Sequence, residues 1–566
     1  MQPTGALVEQ GRAAAPARLG RTAFLDEAGA TSESDAKVAA RDAGEITYHM
    51  HLGLNDWPST VDALREVDGT IRGRGRRVHR YGLCLDRAMS LPEDRRNGAA
   101  KETGPRLSVD EWGQVGWAAP VQPHMGDHMI GTEASLENTV RALAAGVTTI
   151  GNLGQYFAFR SPGGDDPVAV TEATVSALGA MAARRDQGAL VHSYLDDGPA
   201  VQFDHYGQYL GWAAIELYVV EELLGGRLAH CYGGLVHEPP HRAVVGLALD
   251  DLRGRDSVGS MVYGNTVDYG PDHRHNEAVL ATYLLVDIAT QLHRPTGHAV
   301  NPVPLTEAER IPSAEEIVAV HAIAHRIEEE ARRSGALFDW ARLDRLAAAA
   351  AEYATAFRDE VLGQLEDQGV DVRDAAALLL ALRRAEPAAL MAGMTVRAPR
   401  EVAALEPWKA GHVRTLARRL AVGPPLHGRR VVLAVLEAHD VVRDALAAAL
   451  PALGAEVVVL DAAATPEQVA AAAVQEDADA VVVGTYNGGA LDLGTRLRAV
   501  LQVEGWEGAV IFGGVLNADL GDALPVDVRP RLEVLGITCV ADAADVAPVI
   551  AAVGVEEGAQ RPHARP

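Results

Sequence analysis

Cysteine is scarce in this sequence, and long apolar runs are missing from it. Only Cys84, Cys231 and Cys539 occur among 566 residues, and an odd number of widely spaced thiols favours neither a disulfide framework nor a cysteine-based zinc site. We therefore expect a protein of the reducing cytoplasm. No stretch reaches the roughly 18 apolar residues of a membrane span, and the amino terminus lacks an apolar signal core, so we expect no membrane partner.

Positive charge is also in deficit. Lys and Arg number 51 against 77 Asp and Glu, a formal net charge of −26, which would repel the phosphates of a nucleic acid, so we expect no nucleic-acid partner. The densest basic stretch, residues 72–80, carries Arg72, Arg74, Arg76, Arg77 and Arg80. Two interpretations of this stretch stay open, a solvated loop or a grip on an anionic substrate or cofactor.

The sequence does contain enough apolar residues, 48%, for sizeable cores in two or three domains. Residues 1–44 show little apolar periodicity and are predicted to be disordered or to form a loosely attached arm, and residues 556–566 are predicted to be a tail. From residue 45 to 325, strand-like runs alternate with helix-like stretches. This alternation predicts parallel strands with crossover helices.

Polar residues follow the strand-like runs of this first region. Gln155 comes after the run 147–151, and His192 and Tyr194 end the run 188–194. In a (β/α)8 barrel such positions form the catalytic mouth, so we predict a TIM-like barrel over residues 45–325. The candidate lining consists of His124, Asp127, His128, Gln155, Tyr156, His192, Tyr194, His230 and Tyr232.

The composition changes again toward the carboxyl terminus. Residues 326–425 carry Ala, Leu, Glu and Arg at helical spacing and are predicted to be a helical connector. Residues 426–555 contain strand-like runs at 430–435, 456–460, 478–483, 509–512 and 538–540, with helices between them. This pattern predicts an α/β domain with a doubly wound sheet of the flavodoxin-like, Rossmann-like kind.

Three loops of the last domain carry distinctive residues where a doubly wound sheet binds its ligand, at the carboxyl ends of the strands. Residues 437–442 read Glu-Ala-His-Asp-Val-Val, residues 484–489 read Gly-Thr-Tyr-Asn-Gly-Gly, and Gly513 and Gly514 are adjacent. The domain resembles the cobalamin-binding domain of methylmalonyl-CoA mutase and glutamate mutase. That family carries Asp-x-His-x-x-Gly, Ser-x-Leu and Gly-Gly at these three places.

The resemblance implies a site for adenosylcobalamin. His439 matches the histidine that ligates the cobalt from below, and Glu437 matches the carboxylate that hydrogen-bonds this histidine and fixes its tautomer. The other cofactor contacts that the resemblance implies are Asp440, Thr485, Gly488, Gly513 and Gly514. The chain departs from the family pattern at Glu437 (Asp in the family), Val442 (Gly), Gly484 (Ser) and Tyr486 (Leu).

The barrel region is similar to the catalytic ε subunit of glutamate mutase in two segments. Residues 144–155 resemble a strand and loop that end there in a Gly-Gln pair, and residues 305–313 resemble a later segment whose Glu contacts the adenosyl ribose. The likeness implies that Gln155 lies on the substrate side and that Glu307 contacts the ribose. His124, in the predicted mouth, is the third candidate catalytic residue.

Together the two likenesses imply a mutase with its subunits fused in one chain. Such an enzyme uses adenosylcobalamin for a radical 1,2-rearrangement of a small amino or organic acid, and by analogy it forms a homodimer. Ala145 and Leu153 occupy the positions of two glutamate contacts of the family. We therefore expect a substrate other than glutamate.

Three other functions stay open from the sequence. A cobalamin carrier, methyltransferase or sensor would use the helical connector as a cap over the corrin. A mutase homologue that has lost its activity would fit the substituted motifs. A metal-dependent barrel hydrolase would use His124 and His128 as ligands.

Overall fold

The computed structural model describes residues 1–99, 101–162, 166–254, 258–436, 440–462, 464–486, 488–518, 520–521 and 525–552. The chain forms two compact units. The first comprises residues 1–99 and 104–408, and the second begins at Lys409 and also takes in the short segment 101–103. The protein is a mixed α/β protein with parallel sheets, as the sequence predicts.

Within its described part, the first unit contains strands that follow one another along the chain and pair in parallel. They are β1 (His49–Leu52), β2 (Arg80–Leu83), β3 (Gln122–His124), β4 (Thr149–Ile150), β5 (Leu190–Tyr194), β6 (Leu228–Cys231), β7 (Met261–Val262) and β8 (Ala299–Val300). The sheets are β1-β2-β3, β4-β5-β6 and β7-β8. Isolated parallel bridges pair Met125 with Ile150, Tyr232 with Val262 and Tyr48 with Val300.

Helices of the first unit separate these strands and follow the last one. They are α1 (Thr4–Ala14), α2 (Ala23–Ala28), α3 (Glu33–Asp42), α4 (Trp57–Gly73), α5 (Glu93–Arg96), α6 (Val109–Trp112), α7 (Ser135–Ala144), α8 (Leu153–Ala158), α9 (Pro167–Ala182), α10 (Tyr206–Leu217), α11 (Pro239–Arg253), α12 (His273–His293), α13 (Ala314–Ser334), α14 (Trp340–Asp367), α15 (Ala375–Arg384), α16 (Pro387–Met391) and α17 (Arg400–Ala403). Side-chain caps start several of them. Asp56 accepts a hydrogen bond from the backbone N–H of Ser59, and Ser313 and Glu316 form a capping box.

The prediction that residues 1–44 are disordered or form a loosely attached arm is wrong, because α1, α2 and α3 occupy this segment and pack against the rest of the first unit. Helix α1 packs against α9 through small residues rather than through a broad apolar stripe. A Cβ on Gly11 would lie 1.9 Å from the carbonyl oxygen of Ser176, and one on Gly179 would lie 2.8 Å from the Cα of Val8. Glycine at the crossing therefore lets the two backbones approach closely.

Helix α3 is held by buried charges, which a search for apolar periodicity does not detect. Lys37 Nζ donates to the carbonyl oxygens of Gly259 and Ser260 at 2.6 and 2.8 Å. The carboxylate of Glu33 lies 2.7 Å from Arg80 Nε. These contacts fasten the amino-terminal segment to the strand region.

The predicted helical connector, residues 326–425, is helical but does not begin at its predicted boundary. Residue 325 lies inside α13, and α14 packs against α10 and α11. A Cβ on Gly211 would lie 2.3 Å from the ring of Phe357, so glycine makes room for this aromatic side chain. Much of the predicted connector therefore belongs to the core of the first unit.

The second unit is built on a five-stranded parallel sheet. Its strands are β9 (Arg430–Val435), β10 (Glu456–Ala462), β11 (Ala480–Thr485), β12 (Ala509–Gly514) and β15 (Ile537–Cys539), and a small antiparallel pair is formed by β13 (Asn517–Ala518) and β14 (Val526–Asp527). The sheet order is β10-β9-β11-β12-β15. In chain sequence this is 2-1-3-4-5, the order of flavodoxin-like sheets.

Helices cover both faces of this sheet. They are α18 (Trp408–Leu420), α19 (Val441–Ala449), α20 (Pro466–Gln475), α21 (Ala490–Val503), α22 (Arg529–Val534) and α23 (Val546–Ala552). Successive residues of β9 enter opposite cores: Val432 packs with α20 and α21, whereas Val431 packs with α19 and α23. Burial of both faces explains why the strands read as continuous apolar runs.

Across the part of the chain that the structure describes, we find no helix both long and apolar enough to cross a bilayer.

Candidate functional site

Four histidines from three strands of the first unit lie ring against ring. His49 and His51 come from β1, His124 from β3 and His192 from β5. Ring centroids are 4.6 Å apart for His49 and His51, 5.5 Å for His49 and His124, and 4.5 Å for His124 and His192. Parallel strands thus bring together side chains that are far apart in sequence.

Two glycines create the space for these rings. A Cβ on Gly82 of β2 would lie 2.6 Å from the ring of His51, and a Cβ on Gly151, just after β4, would lie 2.7 Å from the ring of His192. A distance below about 3 Å cannot be tolerated without movement of the imidazole. These positions require glycine for packing.

Burial keeps the imidazoles uncharged. It lowers the pKa of His124 well below its usual value, and a positive charge on neighbouring His192 lowers it further. His124 Nδ1 donates to the carbonyl oxygen of Thr149 at 3.1 Å, so its Nε2 carries the lone pair. Each neutral ring has one N–H donor and one unprotonated acceptor nitrogen. Such rings suit ligand groups that form hydrogen bonds better than they suit an anion that needs a positive counter-charge.

Gln155, the predicted substrate-side residue, lies between two carboxylates. Its Nε2 donates to Asp127 Oδ1 at 2.9 Å and to Asp197 Oδ2 at 3.4 Å, and its Oε1 accepts from the backbone N–H of His128 at 3.1 Å. Asn152 Nδ2 also donates to Asp197 Oδ2, at 2.8 Å. The Gln155 amide, which follows β4, therefore links Asp127 after β3 to Asp197 after β5.

These acids are easier to protonate than free aspartic acid. Burial raises the pKa of Asp127 to about 6. Burial first, and then the charge of Asp127, raise the pKa of Asp197 well above its usual value. Two carboxylates that share one amide donor resist ionising together, so the cluster holds a proton at mildly acidic pH.

Glu307, the predicted ribose contact, lies beside Tyr263, whose ring neighbours a second tyrosine and a histidine. Its Oε1 is 3.5 Å from Tyr263 Oη, and the Tyr263 ring lies 5.7 Å from that of Tyr194 and 5.1 Å from that of His51. Burial raises the pKa of Glu307 to about 7, against the opposing hydrogen bond from Tyr263. Near neutral pH this carboxyl can therefore either donate or accept a hydrogen bond.

We expect Glu307→Gln to change how stability depends on pH. Because the pKa of Glu307 is higher in the folded chain, the folded state binds more protons than the unfolded state from about pH 4.5 to about 7. The free energy of unfolding of the wild type should fall relative to that of the variant as the pH rises through this window, and the difference should level off above it. Urea unfolding at a series of pH values measures this slope.

Glu277→Gln provides the control, since Glu277 is exposed on α12 and should follow the wild type at every pH. Parallel pH profiles for wild type and Glu307→Gln would contradict the raised pKa of Glu307.

Two residues of the predicted lining face away from this group. His230 Nε2 lies 3.1 Å from Glu216 Oε2 of α10, and the Tyr232 hydroxyl lies against Gly246 of α11. The intervening Cys231 instead packs with Tyr194 and Tyr263. The prediction for His230 and Tyr232 is wrong, because alternate residues of a strand point to opposite sides.

Four residues of this region were not predicted from the sequence, namely His49, His51, Asp197 and Tyr263. A signal existed for the first two, because His-x-His within a strand places both rings on one side. No sequence pattern marks Asp197 or Tyr263, which follow β5 and β7. Among the described residues, no group of three or more His, Cys, Asp or Glu side chains is arranged to hold a metal ion.

In the second unit, the carboxyl ends of β11 and β12 lie side by side and carry three glycines. Gly484 pairs with Gly513 and Thr485 with Gly514. The Thr485 hydroxyl donates to the carbonyl oxygen of Val515 at 3.2 Å. This edge of the sheet therefore offers backbone largely free of Cβ atoms.

Two further glycine and loop positions belong to the same predicted cofactor set. Gly488 has a positive φ of +84°, a conformation that favours glycine. Asp440 accepts from Lys409 Nζ at 2.7 Å and from Arg443 Nη2 at 3.3 Å. His439, the predicted cobalt ligand, and Glu437, its predicted hydrogen-bond partner, lie outside the described residues, as does the tail 556–566.

No protein-family model matches this chain, and neither does any curated protein.

Proposed function

We propose that this protein is an adenosylcobalamin-dependent carbon-skeleton isomerase that resembles glutamate (methylaspartate) mutase. One observation carries the proposal: the 2-1-3-4-5 parallel sheet of the second unit presents paired glycine ends on β11 and β12, at the edge where such sheets bind their ligands. His439 follows the neighbouring strand β9 in sequence. The predicted cobalt ligand and the glycines thus follow adjacent strands.

The glycines and Thr485 at the carboxyl ends of β11 and β12 support a cobalamin site. A Cβ on Gly514 would lie 2.2 Å from the carbonyl oxygen of Thr485, so glycine is required for the two strand ends to meet. Gly513 and Gly514 would let the corrin or its nucleotide tail approach the backbone, and Thr485 keeps acceptor capacity on its hydroxyl oxygen. His439 would ligate the cobalt, with Glu437 as its hydrogen-bond partner.

For the first unit we propose a single (β/α)8 barrel. The three sheets account for its eight strands, and the bridges Met125 to Ile150, Tyr232 to Val262 and Tyr48 to Val300 fall at the junctions that a closed barrel needs. His124, Gln155 and Glu307 would then share the mouth at the carboxyl ends of the strands. This arrangement is the one expected of a catalytic barrel.

When bound, adenosylcobalamin supplies a carbon radical that removes hydrogen from the substrate. The chain's own contribution is to bind, orient and shield. The neutral imidazole of His124 and the amide of Gln155 suit a small, weakly charged amino or organic acid, and Glu307 can donate to or accept from a ribose hydroxyl. Burial of these groups excludes water from the reacting centre.

The proposal is tested first at His439. We expect the purified protein to bind adenosylcobalamin saturably, as followed by visible absorption, and we expect His439→Ala to weaken binding by at least about ten-fold, because a ligand to the cobalt is lost. Electron paramagnetic resonance of the reduced cofactor on the wild-type protein should show nitrogen hyperfine coupling that the variant lacks. This coupling reports directly on a histidine bound to the cobalt.

His427→Ala is the matched control, because His427 is an exposed histidine at the opposite end of β9 and should bind the cofactor like the wild type. If His439→Ala keeps the wild-type spectrum and affinity, His439 is not the cobalt ligand. If the wild-type protein binds no cobalamin, the isomerase proposal fails.

A further inference from the structure

A cleft of about 420 Å³ in the first unit lies at the opposite strand ends from Gln155 and Glu307. It opens between the end of α4 and α13, beside the residues that precede β1 and β2. Its size is that of a small-molecule site. It contains three arginines of the basic stretch 72–80, namely Arg72, Arg76 and Arg77.

The strongest indication of a ligand is the imidazole of His325, which lines the cleft. His325 is only 8% exposed, yet neither ring nitrogen has a hydrogen-bond partner among the described residues. An unpaired buried polar group is costly, so such a group usually has a ligand or water as its partner. Burial first, and then Arg76, lower the pKa of His325 to about 4, so the ring presents one donor and one acceptor.

Arg76 and Arg77 have more N–H donors than their carboxylate partners use. Arg76 Nη2 donates to Glu329 at 2.9 Å, and Arg77 Nη2 donates to Glu27. Each guanidinium carries five N–H groups in a planar fork. Both side chains therefore retain N–H donors for an anion in the cleft.

The carboxylates of the lining already have partners. Glu45 lies 3.1 Å from His79 Nε2. Glu328 accepts from the Tyr48 hydroxyl at 2.8 Å and from Arg332 at 2.7 Å. Arg332 thus supplies the counter-charge of Glu328, whereas the hydrogen bond from His79 first, and then nearby Arg77, lower the pKa of Glu45.

A second cleft of about 220 Å³ adjoins the first and shares Arg76 and His325 with it. It adds the cation Arg326 and the apolar side chains of Ile71 and Val318. The combined space is larger than a bare anion needs. An anion at Arg76 could therefore carry an organic group into the adjoining cleft.

We propose that the two clefts form a binding site for a small phosphate monoester, with the phosphate between Arg76 and Arg77 and against His325. Two guanidiniums match a dianionic phosphate, whereas one suffices for a carboxylate. The uncharged ring of His325 donates to a phosphate oxygen and can accept from a hydroxyl of the ester. This site is independent of the cobalamin proposal, because it involves neither the histidine group nor the second unit.

Calorimetric titration of the full-length protein with glucose 6-phosphate tests the site, with inorganic phosphate, glucose and succinate as comparison ligands. We expect saturable binding of glucose 6-phosphate, weaker binding of inorganic phosphate, and no comparable binding of glucose or succinate. Arg76→Gln should weaken binding by at least ten-fold. Arg12→Gln removes the same charge from an exposed position on α1 and should bind like the wild type.

His325→Leu separates binding from folding. Leucine removes the unpaired ring nitrogens from the buried site, so we expect unfolding at or above the wild-type midpoint together with weaker binding of glucose 6-phosphate. The proposal is overturned if the wild type shows no saturable binding at millimolar ligand, if succinate binds equally well, or if Arg76→Gln binds like the wild type.

Discussion

Gly514→Ala is expected to unfold the carboxyl edge of the second unit's sheet and to abolish cobalamin binding. Gly514 has a φ of +93°, and a Cβ there would lie 2.2 Å from the carbonyl oxygen of Thr485, a backbone atom. The side chain cannot rotate away from this contact, so the end of β11 or β12 must move. The φ alone costs about 1–2 kcal/mol for a residue with a Cβ, and the contact adds to it.

A matched glycine isolates the contribution of the contact. Gly505 also has a positive φ, +69°, but a Cβ there would meet no atom within 4 Å. Gly505→Ala should therefore show only the conformational cost and should still bind adenosylcobalamin. Urea unfolding and cofactor titration of both variants measure the difference. Equal stability and equal binding of the two would contradict the close approach at Gly514.

The variant Gly513→Ala tests whether cofactor binding requires a position without a Cβ at the end of β12. A Cβ on Gly513 would lie 3.1 Å from a methyl group of Val540, and a side chain of this kind can shift by a few tenths of an ångström. We expect the unfolding midpoint of this variant to lie near that of the wild type, while its affinity for adenosylcobalamin falls. Unchanged affinity would place the cofactor elsewhere on the edge.

The sheet of the second unit could be predicted closely from the sequence. The run predicted at 430–435 is β9 (Arg430–Val435), and the run predicted at 509–512 lies within β12 (Ala509–Gly514). Strands that are buried on both faces have unbroken apolar runs in their sequence. The capping box of Thr465 and Gln468 marks the residue at which α20 begins. Local signals and the tertiary fold agree here.

The amino-terminal helices could not be predicted because their stabilising contacts are not local. Gly11 approaches Ser176, and Glu33 pairs with Arg80. Neither contact leaves an apolar period in residues 1–44, and each requires knowledge of a distant partner. The weak apolar periodicity of residues 1–44 therefore predicts disorder where the folded chain has helices.

The histidine group of the first unit was predicted only in part, because short strands leave the side-chain direction open. His192 joins the group, whereas His230, at a similar place in the next strand, faces Glu216 of α10. A shift of one residue reverses every side chain of a strand. The sequence therefore indicated that β3 and β5 contribute to the histidine group, but it did not indicate β1, and it did not fix which side chains of a strand face the group.

The other large effect is expected at Arg242, a residue outside the histidine group that holds its surroundings in place. Its guanidinium is fully buried and pairs with Asp287, with Nε to Oδ1 at 2.9 Å and Nη2 to Oδ2 at 2.6 Å. It also donates to the carbonyl oxygens of Gly233, Val236 and Tyr263. The Arg242 side chain thus connects the loop after β6 to the residue that follows β7 through hydrogen bonds.

Arg242→Met should destabilise the first unit by about 3–5 kcal/mol, because it leaves the buried carboxylate of Asp287 without its counter-charge. Arg333→Met, which removes an exposed arginine paired with Glu330 on α13, should cost no more than about 1 kcal/mol. Unfolding midpoints in urea distinguish these outcomes. A loss at Arg242 no larger than that at Arg333 would contradict the role of the buried pair.

The double variant Arg242→Met/Asp287→Leu separates the ion pair from the carbonyl contacts. Removing both charges of a buried pair is far less costly than removing one, so part of the lost stability should return. The carbonyl oxygens of Gly233, Val236 and Tyr263 still lack their donor, and recovery should therefore be incomplete. Since Tyr263 is the neighbour of Glu307, the same variant should also shift the pH at which Glu307 titrates. Full recovery of stability together with an unchanged pH profile of Glu307 would mean that Arg242 acts only as the partner of Asp287.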